Sequence, residues 1–109
     1  MADFYIKKND RKPSIRAVLT HSDNSGGLLL ATSVRFIMRP VGGSTASVAS
    51  AGVLETVTDT ALTARYDWGA GDTAAAGQFS CEWEVSDGVK LETFPNTGYF
   101  TVEVVQDLA

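Results

Sequence analysis

The run Phe79-Ser80-Cys81-Glu82-Trp83-Glu84-Val85-Ser86 constrains this chain more than any other part of it. Phe79, Cys81, Trp83 and Val85 fall on one side, and Ser80, Glu82, Glu84 and Ser86 on the other. Strand side chains alternate with period two, so this is a strand with one buried and one wet face. A helix would not sort these residues so cleanly. The strand is entered through Tyr66-Asp67-Trp68-Gly69-Ala70-Gly71-Asp72, a glycine-rich turn. Nothing in the stretch supplies a general base, a cluster of metal ligands or a phosphate loop. It specifies a scaffold and a surface.

Other extended segments recur at short intervals with turn residues between them, the pattern of an all-β sandwich or barrel. Seven to nine strands are expected, in one domain over residues 1–109. The first is Phe4 to Lys8, ended by Asn9-Asp10 and Pro13. The second is Ser14 to Thr20, with Ile15, Ala17 and Leu19 inward. Ser22 to Gly27 is a turn cluster, and Leu28 to Leu30 leads into Ser33 to Arg39, where Val34, Phe36 and Met38 alternate with Arg35, Ile37 and Arg39. Pro40 to Leu54 carries no charge and reads as two short strands or a mobile loop, with strands near Ser47 to Ala51 and Val53 to Thr58 the favoured expectation. In Leu62 to Trp68, Leu62, Ala64, Tyr66 and Trp68 oppose Thr63, Arg65 and Asp67. Asp87-Gly88 marks a hairpin with Lys90 to Phe94 as its return arm. Pro95 to Gly98 is expected to turn the chain again before Tyr99 to Val105, whose Phe100, Val102 and Val104 face inward.

Composition narrows the function classes. With 44% apolar and 20% charged residues, the chain lies far from disordered or transmembrane extremes. A net charge of −4 argues against nucleic acid as a partner, and no run approaches a membrane span or a signal-peptide core. The basic cluster Lys7, Lys8, Arg11 and Lys12 reads as a solvated terminus. The single Cys81 cannot form an internal disulfide and reads as a small buried hydrophobe. His21, Ser22 and Asp23 have the residue types of a hydrolytic triad, but adjacent turn residues cannot take up its geometry, so His21 is expected to be exposed. Asp23, Asp67, Asp72 and Asp87 read as turn formers rather than calcium ligands, because no dense acidic loop gathers six oxygens. No cofactor or metal is expected, and no catalytic residue is assigned.

The route into the alternating strand resembles the corner of immunoglobulin-like sandwiches, with Asp72, Ala76, Gly77 and then Phe79 at the corner's offsets. The corner tyrosine is replaced by Phe79, so its hydroxyl bond is lost and packing is expected to hold the turn, at roughly 1.5–3 kcal/mol for burying the ring. More closely, Phe4 to Asp10, Pro13, Leu30 to Arg39, Tyr66-Asp67-Trp68 with Asp72-Thr73, Gly77 and Phe79, and Phe94-Pro95 before Tyr99 to Val104 together resemble a family of bacteriophage virion domains. These are immunoglobulin-like β-sandwiches related to the N-terminal domain of siphophage baseplate upper proteins. The resemblance covers nearly the whole chain, departing at Phe79 and in the uncharged middle. It implies an immunoglobulin-like antiparallel β-sandwich without a disulfide.

The same resemblance implies a non-enzymatic structural protein of the virion, made in the host cytoplasm. A capsid decoration or accessory protein leads, because the chain ends where the domain ends. A baseplate or tail accessory domain is the alternative. Its partners are other virion proteins, the major capsid protein or tail and baseplate proteins, and homo-oligomers on the particle fit the same picture. Contact is expected through sheet edges and loops, with Phe4, Tyr5 and Ile6 of the first strand, Val41, Val48 and Val53 of the uncharged middle, and Trp68 as candidate partner-binding residues. A carbohydrate-binding adhesion module is the rival of another class, and it requires Trp68, Tyr5 or Tyr99 to stand exposed beside polar groups.

Overall fold

The computed structural model describes residues 2–108. It contains nine strands among them: β1 Phe4–Lys7, β2 Ile15–Leu19, β3 Ser33–Pro40, β4 Val48–Ala51, β5 Val53–Val57, β6 Leu62–Tyr66, β7 Gly77–Ser86, β8 Leu91–Phe94 and β9 Phe100–Val105. A single 3-10 turn, Leu28–Leu30, interrupts them. The strands form two sheets. One runs β1-β9-β7-β3-β4, with β8 also on β7, and the other runs β2-β6-β5.

The alternation of β7 places it at the centre. Along one side it pairs with all of β3, from Ser33↔Ser86 to Pro40↔Phe79. Val34, Phe36 and Met38 therefore share a face with Phe79, Cys81, Trp83 and Val85, and all seven are buried. From the other sheet, Ile15, Leu19, Leu62, Ala64 and Tyr66 meet them in a shared core. Phe36 is the hub: its ring stacks on Tyr66 at 4.8 Å between centroids and lies 5.0 Å from Trp83 and 5.6 Å from Trp68. These ring pairs add to burial through their offset and edge-on geometry. Cys81 is free and buried.

The uncharged middle resolves into β4 and β5, which belong to different sheets. The chain crosses between layers at Gly52, whose amide donates to the Val34 carbonyl at 2.8 Å. A Cβ at Gly52 would lie 2.8 Å from the Arg65 carbonyl oxygen and 3.3 Å from Val34 Cγ1. The crossing thus runs against two strands at once, and only a residue without a side chain fits.

Three expectations need correction. The pairing is not antiparallel throughout, because β1 runs parallel to β9, with Phe4↔Val102 and Lys7↔Val105. Pro95 to Gly98 does not reverse the chain. Since β3 occupies one side of β7, β8 and β9 both lie along the other, end to end and in the same direction. Trp83 pairs with Phe94 and Cys81 with Phe100, so two steps on β7 face six on the partner and four residues bulge out. Finally, the glycine-rich turn is not held by packing alone, because the Asp72 carboxylate accepts the Tyr66 hydroxyl and the Gly69 amide.

Candidate functional site

Residues far apart in sequence gather on the segment between β6 and β7. The Tyr66 hydroxyl donates to Asp72 Oδ2 at 2.5 Å, and the same oxygen accepts the Gly69 amide at 2.7 Å. One carboxylate therefore closes the turn that Phe79 cannot close. Burial, then the facing Asp72, pushes the Tyr66 phenol up to about 12. The indole N–H of Trp68 donates to the Pro13 carbonyl at 3.0 Å, and Arg11 Nε donates to the Trp68 carbonyl at 3.0 Å. Thr73, buried despite its hydroxyl, donates to the Asp10 carbonyl at 2.7 Å, while its own carbonyl accepts the Asn9 amide. Phe4 packs against Trp68 with centroids 6.0 Å apart. In the basic cluster, read as a solvated terminus, Lys7, Arg11 and Lys12 are exposed, while the backbone of Asn9, Asp10 and Pro13 and the Arg11 side chain tie this segment to the turn.

The other carboxylates flagged in the sequence also have protein partners. Asp67 accepts the Ser14 hydroxyl at 2.6 Å and pairs with Arg65, and these hold its carboxyl below the usual range. Asp87 Oδ1 accepts the Val89 and Lys90 amides, caps the turn between β7 and β8, and is likewise held low. Asp23 accepts the Ser25 amide at 3.0 Å, and its partners at Ser25 lower it. No group of three or more His, Cys, Asp or Glu placed to hold a metal ion occurs among the described residues.

His21 departs from expectation. Its imidazole is only 15% exposed, with Nε2 2.7 Å from Glu92 Oε2 and Nδ1 3.1 Å from the Ser25 carbonyl. The ring also lies 5.7 Å from that of Phe94. The Glu92 hydrogen bond, and then the Ser25 carbonyl, raise its pKa. Burial drives the Cys81 thiol up to about 12, where it is a hydrophobe rather than a nucleophile at neutral pH.

The seven candidate contact residues divide. Ile6, Val48 and Trp68 are buried, so the expectation that their side chains meet a partner is corrected. Ile6 faces inward because it pairs beside Val104, Val48 because it sits opposite Met38, and Trp68 because its ring closes the aromatic cluster. Phe4 is half-buried against Trp68. Tyr5, Val41 and Val53 remain exposed and are not brought together in one patch by any element.

Of two further surface features, the first escapes the sequence reading, and of the second that reading names only Tyr99. The first is a cleft of about 390 Å³ between β2 and the β8–β9 side, lined by residues 15–20 together with Asp3, Phe4, Trp83, Phe94, Pro95 and Phe100. The other is a shallow depression containing exposed Tyr99 with Ser44, Ser80 and Glu82, where the Arg39 guanidinium sits 5.9 Å from the Tyr99 ring centre. Both join segments distant in sequence, so no local pattern announces them. No family model, curated protein or solved structure matches this chain.

Proposed function

We propose that the chain is an immunoglobulin-like β-sandwich that serves as a non-enzymatic structural protein of a phage virion, a capsid decoration or accessory protein attached through sheet edges and loops. The observation that carries the reading is the convergence on the β6–β7 turn. Phe4, Asp10, Pro13, Tyr66, Trp68, Asp72 and Thr73, which belong to the scattered motifs of the virion-domain resemblance, contact one another there. Motifs that were weak singly thus share one structural task. The strand order supports the fold reading: β2-β6-β5 corresponds to strands B, E and D, and β9-β7-β3-β4 to G, F, C and C′. The test is co-sedimentation of purified protein with capsids assembled without it, together with imaging of those capsids. Binding and a restored shell density are expected. No binding and no missing density on the shell would end the decoration reading, while antibody labelling at the tail would transfer the role to the baseplate.

Tyr99 favours a second reading, glycan adhesion. It is 57% exposed and stands beside Ser44, Ser80, Glu82 and Arg39, the setting that sugar stacking requires. A glycan array probed at millimolar protein decides it, and silence removes it.

A further inference from the structure

The cleft beside β2 is built to receive a strand. Six consecutive residues, 15 through 20, line it. Neighbouring strand residues point to opposite faces, so what the cleft presents is the edge of β2 rather than one of its faces. That edge is open: β2 pairs with β6 on one side and ends its sheet on the other. Its outward N–H and C=O groups therefore form a template for pairing. The interior is apolar, from Ile15, Leu19, Phe94 and Phe100, and Ala17 is only partly covered between buried Ile15 and Leu19. At its inner wall stands Trp83, fully buried, whose indole N–H has no hydrogen-bond partner among the described residues. A buried donor left unpaired is costly and calls for an acceptor. The charged residues on the rim are already engaged: Arg16 pairs with Glu55 at 2.9 Å and Asp3 accepts the Thr101 amide at 2.8 Å.

From these features we infer that the cleft binds an extended, uncharged peptide segment of a partner protein, which adds as a strand to the free edge of β2. Its alternate apolar side chains fill the space over Ala17, next to the Trp83 ring. Main-chain bonds supply affinity and the cleft supplies side-chain selection. The inference rests on the proposed attachment through sheet edges and names the edge.

The probe is the capped peptide acetyl-Gln-Val-Thr-Val-Thr-Val-Gln-amide, titrated into isotope-labelled protein and followed by nuclear magnetic resonance. The expected result is saturable movement of the Trp83 indole signal together with the amides of Ile15 to Leu19. Two N-methylated versions, one blocked at every Val and the other at the intervening residues, each remove the donors of one strand edge. One is expected to bind at least tenfold more weakly and the other within threefold of the parent. Ala17→Trp fills the cleft and is expected to weaken the parent peptide at least tenfold, and should it unfold, the methylated pair decides on the unaltered protein. The inference is overturned if the parent peptide moves neither set of signals, or if both methylated peptides bind alike. It is also overturned if cyclohexanone shifts the Trp83 signal while the peptide does not, which makes the cleft a small-molecule site. Peptide binding with neither co-sedimentation nor missing shell density would sink the decoration reading and leave the cleft standing. Co-sedimentation without peptide binding would do the reverse.

Discussion

The Tyr66 hydroxyl meets Asp72 Oδ2 at 2.5 Å, which joins the end of β6 to the turn that delivers the chain into β7. A hydrogen bond to a carboxylate in a partly buried site contributes about 1.5–3 kcal/mol. Tyr66→Phe keeps the ring stacked on Phe36 and removes the hydroxyl that donates to Asp72. It is expected to lower stability to urea by about that amount with an unchanged denaturant slope. A cost below about 0.5 kcal/mol would mean that the Tyr66–Asp72 bond does not hold the turn.

Alkaline pH tests the same region. Tyr66 and Cys81 are both raised to about 12, from ordinary values of 10.0 and 9.0. A group that ionises later in the folded chain lends stability that is complete below its unfolded value and lost as the pH climbs to its folded one. The urea midpoint is therefore expected to hold up to about pH 9 and fall from there towards pH 12. In Cys81→Ala the fall is expected to begin nearer pH 10, where unfolded Tyr ionises. A midpoint that stays level to pH 11 in the parent protein contradicts both assignments.

What the sequence disclosed, and what it hid, follows from the range of each interaction. Alternation is local, so β3, β6 and β7 and their buried faces were legible from Val34, Leu62 and Phe79 onwards. By the same parity Trp68 belongs with Tyr66, and the structure keeps it inside. The bulge between β8 and β9 was not legible, because Pro-Asn-Thr-Gly suits a reversal as well as a four-residue bulge. What separates them is that β3 already covers the far side of β7. Nor can spacing show that β1 runs parallel to β9, or that His21 finds Glu92 seventy-one positions away. The cleft is hidden for the same reason: it lies between β2 and β8, which no short segment connects.

The His21–Glu92 contact gives stability a second pH dependence. With its pKa raised in the folded chain, His21 adds stability that is full below pH 6.5 and disappears as the pH rises through the folded value. Nuclear magnetic resonance titration of the ring is expected to place its midpoint above 6.5, and Glu92→Gln is expected to bring it back down. If Glu92→Gln leaves the midpoint in place, Glu92 does not set it and the Ser25 carbonyl and the Asp23 charge do.

Gly52 offers the sharpest test of the two-layer arrangement. Its position between β4 and β5 leaves no room for a Cβ, with backbone of β6 at 2.8 Å and Val34 of β3 at 3.3 Å. Backbone oxygen cannot swing aside as a flexible side chain would, so Gly52→Ala has to push the two sheets apart locally. Overpacking of this kind costs about 1–3 kcal/mol. Gly42 is the control, since its added Cβ meets nothing within 4 Å, although its φ of 83° leaves a modest backbone penalty. Gly52→Ala is expected to lower the urea midpoint clearly more than Gly42→Ala and to shift the amide signals of Val34 and Arg65. Equal effects of the two substitutions, with Val34 unmoved, would show that the chain crosses between the sheets elsewhere.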